Sequence, residues 1–323
     1  MSFDNSANTK IKRLNLALLV LLTLLSLAIA VFVPFFGIAG VIFLPVSATL
    51  LVLSGRIRDG VICAVISSVI LIFLDYLLVP AAALLIIGIS FIYRSSMIKE
   101  KGRLFTISCI FLAFFGVLLL YVITYSAIYG VNYINEFINY YNSYIDQVLS
   151  REFLTGYAGL FSLEQSQFEV IVEQARDILE FMLYIIPGIL ISLVAFISFM
   201  NHVATNAVLK RYNTGIKGLP SLRYWDTPWY LCWGMILGLV LIVIPPGSQS
   251  INKVLDIAGL NLVAVFAPLY LILGIAVIWG LMEKFKLPLL WRVVIFVMLG
   301  LFFNFALIIV VFLGLMDIWV NFR

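Results

Sequence analysis

The sequence predicts an all-α fold: a polytopic transmembrane helical bundle of about nine spans, with a small helical extracytoplasmic cap. Apolar stretches follow one another through almost the whole chain, and basic residues recur at every second connection. Hydrophobic residues make up 64% of the chain and charged residues only 11%, whereas soluble domains carry about 25% charged residues. Together these observations exclude an ordinary water-soluble fold.

The predicted spans lie at about 14–33, 36–54, 60–79, 80–93, 104–128, 178–200, 228–246, 258–282 and 289–316. Most approach the roughly 20 residues that a helix needs to cross a hydrocarbon layer about 30 Å thick. The fourth is short: it is either a broken helix that lines a cavity or a packed helix with local thinning of the membrane. The last is long enough to tilt or to break near Gly300, which leaves eight or nine spans.

The distribution of Lys and Arg predicts the orientation, because positively charged loops stay in the cytoplasm. Of the 20 basic residues, 16 fall on one side if the connections alternate, and Arg151, Arg176, Lys253 and Arg323 fall on the other. The N-terminus is therefore expected in the cytoplasm. The basic connections also indicate contact with anionic lipid headgroups, and we expect no nucleic-acid partner.

We expect a single integral membrane domain over 1–323, with a six-helix part at 1–226 and three further helices at 227–323. The segment 129–177 is acidic and predicts two helices that form the outer cap. Aromatic residues recur at four-residue steps from the fifth predicted span into this segment, which predicts that the fifth helix continues beyond the bilayer. They are Tyr121, Tyr125, Tyr129, Tyr133, Phe137 and Tyr141. Their partner surface is either the second cap helix or a ligand.

Ionisable residues inside apolar spans are candidates for function, because each is costly in lipid unless it is satisfied. Asp75 is predicted in the outer third of the third helix, and Glu180 at the start of the sixth. The candidate ligand-binding residues are Asp75, Tyr76, Tyr121, Tyr125, Glu180 and Tyr184. The alternative for such polar residues, including Asn261 and Asn304, is hydrogen bonding between helices.

A second set of residues is a candidate for contact with partner subunits in the cytoplasm or the membrane. The set is Gly234, Gly238, His202, Asn206 and Arg211. The two glycines form a GxxxG pair, which permits close approach of helices and equally fits internal packing. His202 shares a helix face with Asn206 and is predicted as a surface residue at a helix end.

The sequence contains no glycine-rich phosphate loop, no HExxH and no paired Cys motif, which are the patterns that usually accompany cofactor or metal chemistry. Cys63, Cys109 and Cys232 fall within apolar spans at unrelated spacings and are expected to pack helices. We therefore expect no cofactor, no metal site and no enzymatic activity. An intramembrane enzyme would instead need polar groups that converge on one water-filled cavity.

Three segments carry a resemblance to a known family. They are GLMDIWVNFR at 314–323, LKRY at 209–212 followed by Leu219-Pro220, and WDTP at 225–228. With the layout of helices, they resemble the YybS-like family of bacterial multi-pass membrane proteins, which carries a domain of unknown function. Its first six helices are thought to be similar to the S components of energy-coupling-factor transporters. The resemblance implies the bacterial cytoplasmic (inner) membrane and brings no catalytic residues.

Two functions remain open at this point. The first is a small-solute-binding transport subunit without its own ATPase, which captures its solute beneath the cap. The second is a non-transporting scaffold that organises partners in the cell envelope. The Asp75 region favours the first function, whereas the GxxxG helix and the charged connections fit the second.

Overall fold

A computed structural model describes residues 15–33, 36–149, 165–211, 224–243 and 249–322. Every regular element in these ranges is helical, and no strand occurs in them. The all-α prediction is therefore confirmed for the described part of the chain. The described helices are α1 Leu16–Phe32, α2 Gly37–Phe43, α3 Val46–Leu53, α4 Ile57–Val69, α5 Leu78–Ile98, α6 Arg103–Tyr129, α7 Tyr133–Val148, α8 Gln165–Arg211, α9 Cys232–Val243, α10 Gln249–Lys284, α11 Leu289–Leu301 and α12 Phe303–Val320.

Four of the described helices are long and apolar enough to cross a membrane. They contain Leu78–Ile98, Arg103–Tyr129, Val170–Arg211 and Lys253–Lys284. A fifth span is possible if α11 and Phe305–Val320, which are bent by 116°, act as one broken span. Leu16–Phe32, Gly37–Leu53 and Trp229–Val243 are shorter apolar helices. The count of nine spans and the outer position of the cap stay predictions.

The fourth predicted span is longer than the sequence indicated. It begins at Leu78 and runs for 21 residues, about 31 Å at 1.5 Å per residue, so the prediction of a short helix was wrong. The sequence places the start of this span at Pro80, because proline is common at helix boundaries. Pro80 lies in the first turn of α5, where its missing N–H would have no partner within the helix in any case. Of the two alternatives for the last predicted span, a tilted helix or a break near Gly300, the structure has a break, at Phe302.

The predicted continuation of the fifth helix into the cap was also wrong. Helix α6 stops at Tyr129 because Gly130 adopts a left-handed conformation, with φ of 67°. Asn132 then caps α7: its side-chain oxygen accepts hydrogen bonds from the backbone N–H groups of Ile134, at 3.0 Å, and Asn135, at 3.3 Å. A left-handed glycine followed by an asparagine cap is a strong local signal for a break between helices.

The described residues fall into two compact units: those within Met1–Asn139 and Leu193–Leu219 form one, and those within Tyr140–Ser192 and Pro220–Arg323 form the other. In the first unit, apolar residues of α5, α6 and α8 make one core cluster, including Ile89, Ile110 and Val194. Hydroxyl groups cross-link neighbouring helices of the same unit. The Thr49 and Ser90 oxygens lie 3.2 Å apart, which joins α3 to α5.

In the second unit, glycines bring helix backbones into contact. A Cβ on Gly314 of α12 would clash with the carbonyl oxygen of Tyr270 in α10. The two glycines of the predicted GxxxG pair likewise bring α9 close to α10 of the same chain. A Cβ on Gly234 would overlap the Phe266 ring, and one on Gly238 would lie 3.0 Å from the Cβ of Leu262. This glycine face of α9 is therefore occupied by α10.

The side chain of Asn261 in α10 supports α8 beside Pro187, which lies inside that helix. Its amide oxygen accepts from the Gly188 N–H at 2.7 Å, and its amide nitrogen donates to the Tyr184 carbonyl at 2.7 Å. Tyr184 and Gly188 are four residues apart, so these are the two groups that an ordinary helix pairs with each other. The expected interhelical hydrogen bonding of Asn261 is thus confirmed.

The two predicted cap helices contact each other within the second unit. The Tyr141 hydroxyl donates to the Leu179 carbonyl at 2.8 Å, and the Arg176 guanidinium lies 2.8 Å from the Asp146 carboxylate. For Tyr141, the partner surface is therefore the second helix. Ser162 followed by Gln165 predicts a capping box at the start of the second cap helix, but Ser162 lies outside the described residues.

We predict that Gly314→Ala destabilises the protein by about 1 to 3 kcal/mol, because the new methyl group has to push apart two packed backbones. Thermal unfolding of the purified protein measures the effect. Gly116→Ala is the matched control, since nothing lies within 4 Å of a Cβ at that helical glycine. Equal melting temperatures for the two variants would contradict the packing described above.

We predict that Asn261→Ala lowers stability by about 1 kcal/mol, since interhelical hydrogen bonds in membranes are worth about that much. Asn139→Ala, which changes an exposed asparagine of α7, should have a much smaller effect. Unfolding in a denaturing detergent series compares the two variants directly. If Asn139→Ala loses as much stability as Asn261→Ala, the hydrogen bonds of the Asn261 side chain do not stabilise α8.

Candidate functional site

Asp75 lies in a turn between a short 3-10 helix, Ile70–Phe73, and the start of α5. The prediction that it lies within the third helix was wrong. The reason is local: one carboxylate oxygen accepts the Leu77 N–H at 2.9 Å, and the Asp75 carbonyl accepts the Leu78 N–H at 3.0 Å. Such a side-chain bond two residues ahead stabilises a turn in place of continued helix.

The second carboxylate oxygen of Asp75 accepts a hydrogen bond from the Tyr121 hydroxyl at 2.7 Å. This bond joins the turn to α6, 46 residues further along the chain. A hydrogen bond to an ionised group is stronger than one between neutral groups. The bond therefore fixes the position of the carboxylate against the helix that carries the tyrosine stripe.

Four further tyrosine rings gather around this bond. The ring centroids of Tyr121 and Tyr125 are 6.0 Å apart, and those of Tyr125 and Tyr129 are 4.5 Å apart. Tyr76, next to Asp75, lies 6.4 Å from Tyr129. We call Asp75, Tyr76, Tyr121, Tyr125, Tyr129 and Tyr133 the Asp75–tyrosine cluster.

Tyr133 reaches the cluster because of the turn at Gly130. In one continuous helix, residues 121 and 133 would be separated by about 18 Å along the axis. With the helix broken, the Tyr133 ring lies 6.1 Å from Tyr121 and 5.1 Å from Tyr125, edge to face in both cases. Its backbone N–H also donates to the Ser126 hydroxyl at 3.3 Å. The break thus converts a linear stripe into a compact group.

The cluster is open on one side. The side chains of Tyr76 and Tyr129 are 49% and 46% exposed, whereas Asp75, Tyr121, Tyr125 and Tyr133 are partly buried. The surrounding sequence contains no Lys or Arg between Arg58 and Arg94. The same holds between Arg103 and Arg151. In the described ranges, no basic side chain forms an ion pair with Asp75.

The structure brings together four of the six predicted ligand-binding residues: Asp75, Tyr76, Tyr121 and Tyr125. Glu180 and Tyr184 belong to the second unit. There Glu180 is exposed, and the Lys253 ammonium lies 5.0 Å from the centroid of the Tyr184 ring. The sequence-based site omitted Tyr129 and Tyr133. The four-residue spacing of the stripe was the signal for both residues, but it did not show that the chain folds back.

His202 is part of a buried polar group in the first unit, so its prediction as a surface residue was wrong. It is 4% exposed, and its Nε2 lies 2.8 Å from the side-chain nitrogen of Asn206, which is 9% exposed. The imidazole stacks on the Tyr93 ring, with centroids 6.0 Å apart. Neighbouring Asn201 donates to the Ile42 carbonyl at 2.7 Å. These polar residues pack inward because they find partners on α5 and α2.

The remaining candidates for partner contact have different surroundings. Arg211 is the exposed last residue of α8, a position where a cation suits the helix dipole. Gly234 and Gly238 are covered by α10 within the same chain, as described above. Over the described residues, no group of three or more His, Cys, Asp or Glu side chains could hold a metal ion. The three cysteines carry no disulfide.

The long apolar helices define the class of this molecule: it is an all-α membrane protein. The chain belongs to the DUF2232 family, described as a predicted membrane protein, whose family model matches residues 20–318. The YybS-like resemblance agrees with this family, whereas no match supports the similarity to transporter S components. Among curated proteins and among solved structures, no match to the chain was found.

We predict that Asp75→Ala destabilises the protein by about 1 to 3 kcal/mol, because it removes the acceptor for both the Leu77 N–H and the Tyr121 hydroxyl. Asp75→Asn keeps a side-chain oxygen that can accept the Leu77 N–H, so its loss of stability should be clearly smaller. Thermal unfolding of the two variants in the same detergent makes the comparison. If both variants match the native protein, the carboxylate does not hold the turn to α6.

Proposed function

We propose that this chain is a small-solute-binding transport subunit of the bacterial cytoplasmic membrane, without enzymatic activity and without its own ATPase. The Asp75–tyrosine cluster would be the solute site. The observation that carries the proposal is the 2.7 Å bond that holds the Asp75 carboxylate against Tyr121, beside rings that are half exposed. A fixed charge and exposed aromatic faces next to apolar helices are typical of a site that orients a small ligand.

The direction of α5 and α6 supports a site that faces the exterior. Helix α5 leads from the cluster to Arg94 and Lys99, and α6 leads from Arg103 back to the cluster. All basic residues of these two helices and their connection therefore lie at the end away from Asp75. With positively charged connections in the cytoplasm, the N-terminus is cytoplasmic, and the cluster and cap lie outside. The shorter apolar helices would complete about nine spans.

A separate motor would supply the energy for transport. The sequence contains no glycine-rich loop followed by Lys and Ser or Thr, which is the usual loop for ATP phosphates. A cytoplasmic ATPase subunit would therefore dock on the inner side. Arg211, exposed at the end of α8, is the described residue best placed for that contact in this orientation.

The second candidate function is a non-transporting scaffold of the cell envelope, and one feature favours it. Helix α11 has no buried residue, and its first two leucines, Leu289 and Leu290, are 75% and 73% exposed. Lipid tails cover such a face, and so would a helix of another membrane protein. Crosslinking from Leu290 followed by mass spectrometry tests this function. Recovery of envelope-synthesis proteins without an ATPase subunit would favour the scaffold.

We predict that at least one small solute raises the melting temperature of the purified protein in a screen of vitamins and metal chelates. A ligand that binds only the folded state at 100 times its Kd stabilises that state by about 2.7 kcal/mol. Asp75→Asn should abolish the shift, whereas Asp256→Asn, which changes an exposed carboxylate of α10, should leave it intact. The transport proposal is abandoned if no solute stabilises the native protein, or if Asp75→Asn responds like Asp256→Asn.

A further inference from the structure

We infer that the solute of the Asp75–tyrosine cluster is an organic cation, most closely a compact alkylated ammonium group. This inference rests on the proposed function, since it names the class of ligand for the same site. Its basis is one juxtaposition: a carboxylate without a basic partner among the described residues, held within a set of mutually tilted tyrosine rings.

The charge around Asp75 is the first argument. Both hydrogen bonds that the carboxylate accepts come from neutral donors, the Leu77 N–H and the Tyr121 hydroxyl. These donors are uncharged and leave the negative charge of the carboxylate without a compensating cation. The nearest Lys and Arg residues along the sequence lie at the far ends of α4, α5 and α6. A bound cation would supply the missing charge, whereas an anion would be repelled.

The aromatic rings are the second argument, because they select among cations. The face of an aromatic ring is electron-rich and attracts a cation within about 6 Å of its centroid. Tyr133 stands at 82° to Tyr121 and at 80° to Tyr125, and Tyr76 is tilted by 58° to Tyr129. Rings that face different directions favour a rounded ammonium group. A flat ligand would instead be expected between parallel rings.

An inorganic cation fits the cluster poorly. Calcium takes 6 to 8 oxygen ligands, commonly from several carboxylates and carbonyls. Both oxygens of the Asp75 carboxylate are already hydrogen-bonded, and the only other carboxylate beside the cluster among the described residues is that of Glu136, next to Tyr125. No set of three metal-binding side chains occurs there or elsewhere in the described ranges. An ammonium with alkyl groups needs no such shell, because rings and one carboxylate can satisfy it.

Access is the third argument. Tyr76 and Tyr129, the two most exposed rings of the cluster, lie beside each other at its edge. Tyr125 packs directly against Tyr129, with ring centroids 4.5 Å apart, so a solute reaches Tyr125 only when an edge ring turns aside. A tyrosine has only two side-chain torsions, so a ring can turn toward a ligand at a small entropic cost.

The experiment is isothermal titration of the full-length protein in lipid nanodiscs. The probes are tetramethylammonium, choline, and 3,3-dimethylbutan-1-ol, which is the uncharged carbon isostere of choline. At least one of the two cations should bind about tenfold or more tightly than the alcohol, because only the cations engage the carboxylate and the ring faces. Asp75→Asn should weaken that binding by about tenfold or more, while Asp256→Asn should not.

Ring variants separate the aromatic contribution from the charge. Tyr125→Leu should weaken cation binding by roughly threefold to thirtyfold, because a cation–π contact is worth about 0.5 to 2 kcal/mol. Tyr125→Phe keeps the ring and should bind almost as well as the native protein. Tyr140→Leu is the control, since it removes an exposed tyrosine of α7 outside the cluster. If Tyr125→Leu and Tyr140→Leu lose equal affinity for the cation, the rings of the cluster do not contribute to cation binding.

The outcomes distinguish this inference from the proposed function. Suppose that neither cation binds, but a neutral or anionic solute from the vitamin screen stabilises the protein and its binding requires Asp75. The proposed transport function is then retained, and the inference of a cationic solute is rejected. Equal binding of the alcohol and the cations overturns the cation class as well. If no solute of any charge binds, both proposals fall together.

Discussion

Backbone N–H and C=O groups have no water to bond with inside a lipid bilayer, so each must find a partner within the protein. Much of this structure follows from that constraint. The hydroxyls of Thr49, Ser90 and Ser198 each lie within hydrogen-bond distance of the carbonyl four residues earlier in their own helix, so these three buried side chains have partners. The same need explains why Asn261 bonds to the Tyr184 carbonyl and the Gly188 N–H of α8, on either side of Pro187.

The features that the sequence could predict are those that depend on composition and spacing. Long apolar stretches predicted helices, and tyrosines at four-residue steps placed Tyr121 and Tyr125 on one helix face, where the structure has them. Asp75 was recognisable because a carboxylate beside lipid is costly wherever it lies. These inferences need only the helical period and the chemistry of one residue, and no knowledge of neighbouring helices.

The features that were missed depend on contacts between distant residues or on one local conformation. A glycine costs a helix only about 1 kcal/mol, so Gly130 alone did not reveal a break, and its effect depends on the Asn132 cap that follows. His202 was placed at the surface because nothing in the sequence shows that its face meets Tyr93 and α5. The GxxxG pair illustrates the same difficulty, since its spacing fits contact with another protein as well as with α10.

The turn between α6 and α7 makes the length of that connection part of the site. A single residue inserted after Gly130 would rotate α7 by about 100° and carry the Tyr133 ring away from Tyr121 and Tyr125, although no side chain of the cluster had changed. Homologous chains could keep every tyrosine and still lose the ring contacts of Tyr133 if this loop differs by one residue. Alignment of such chains therefore has to compare the spacing from Tyr129 to Tyr133 as well as the residues of the candidate site.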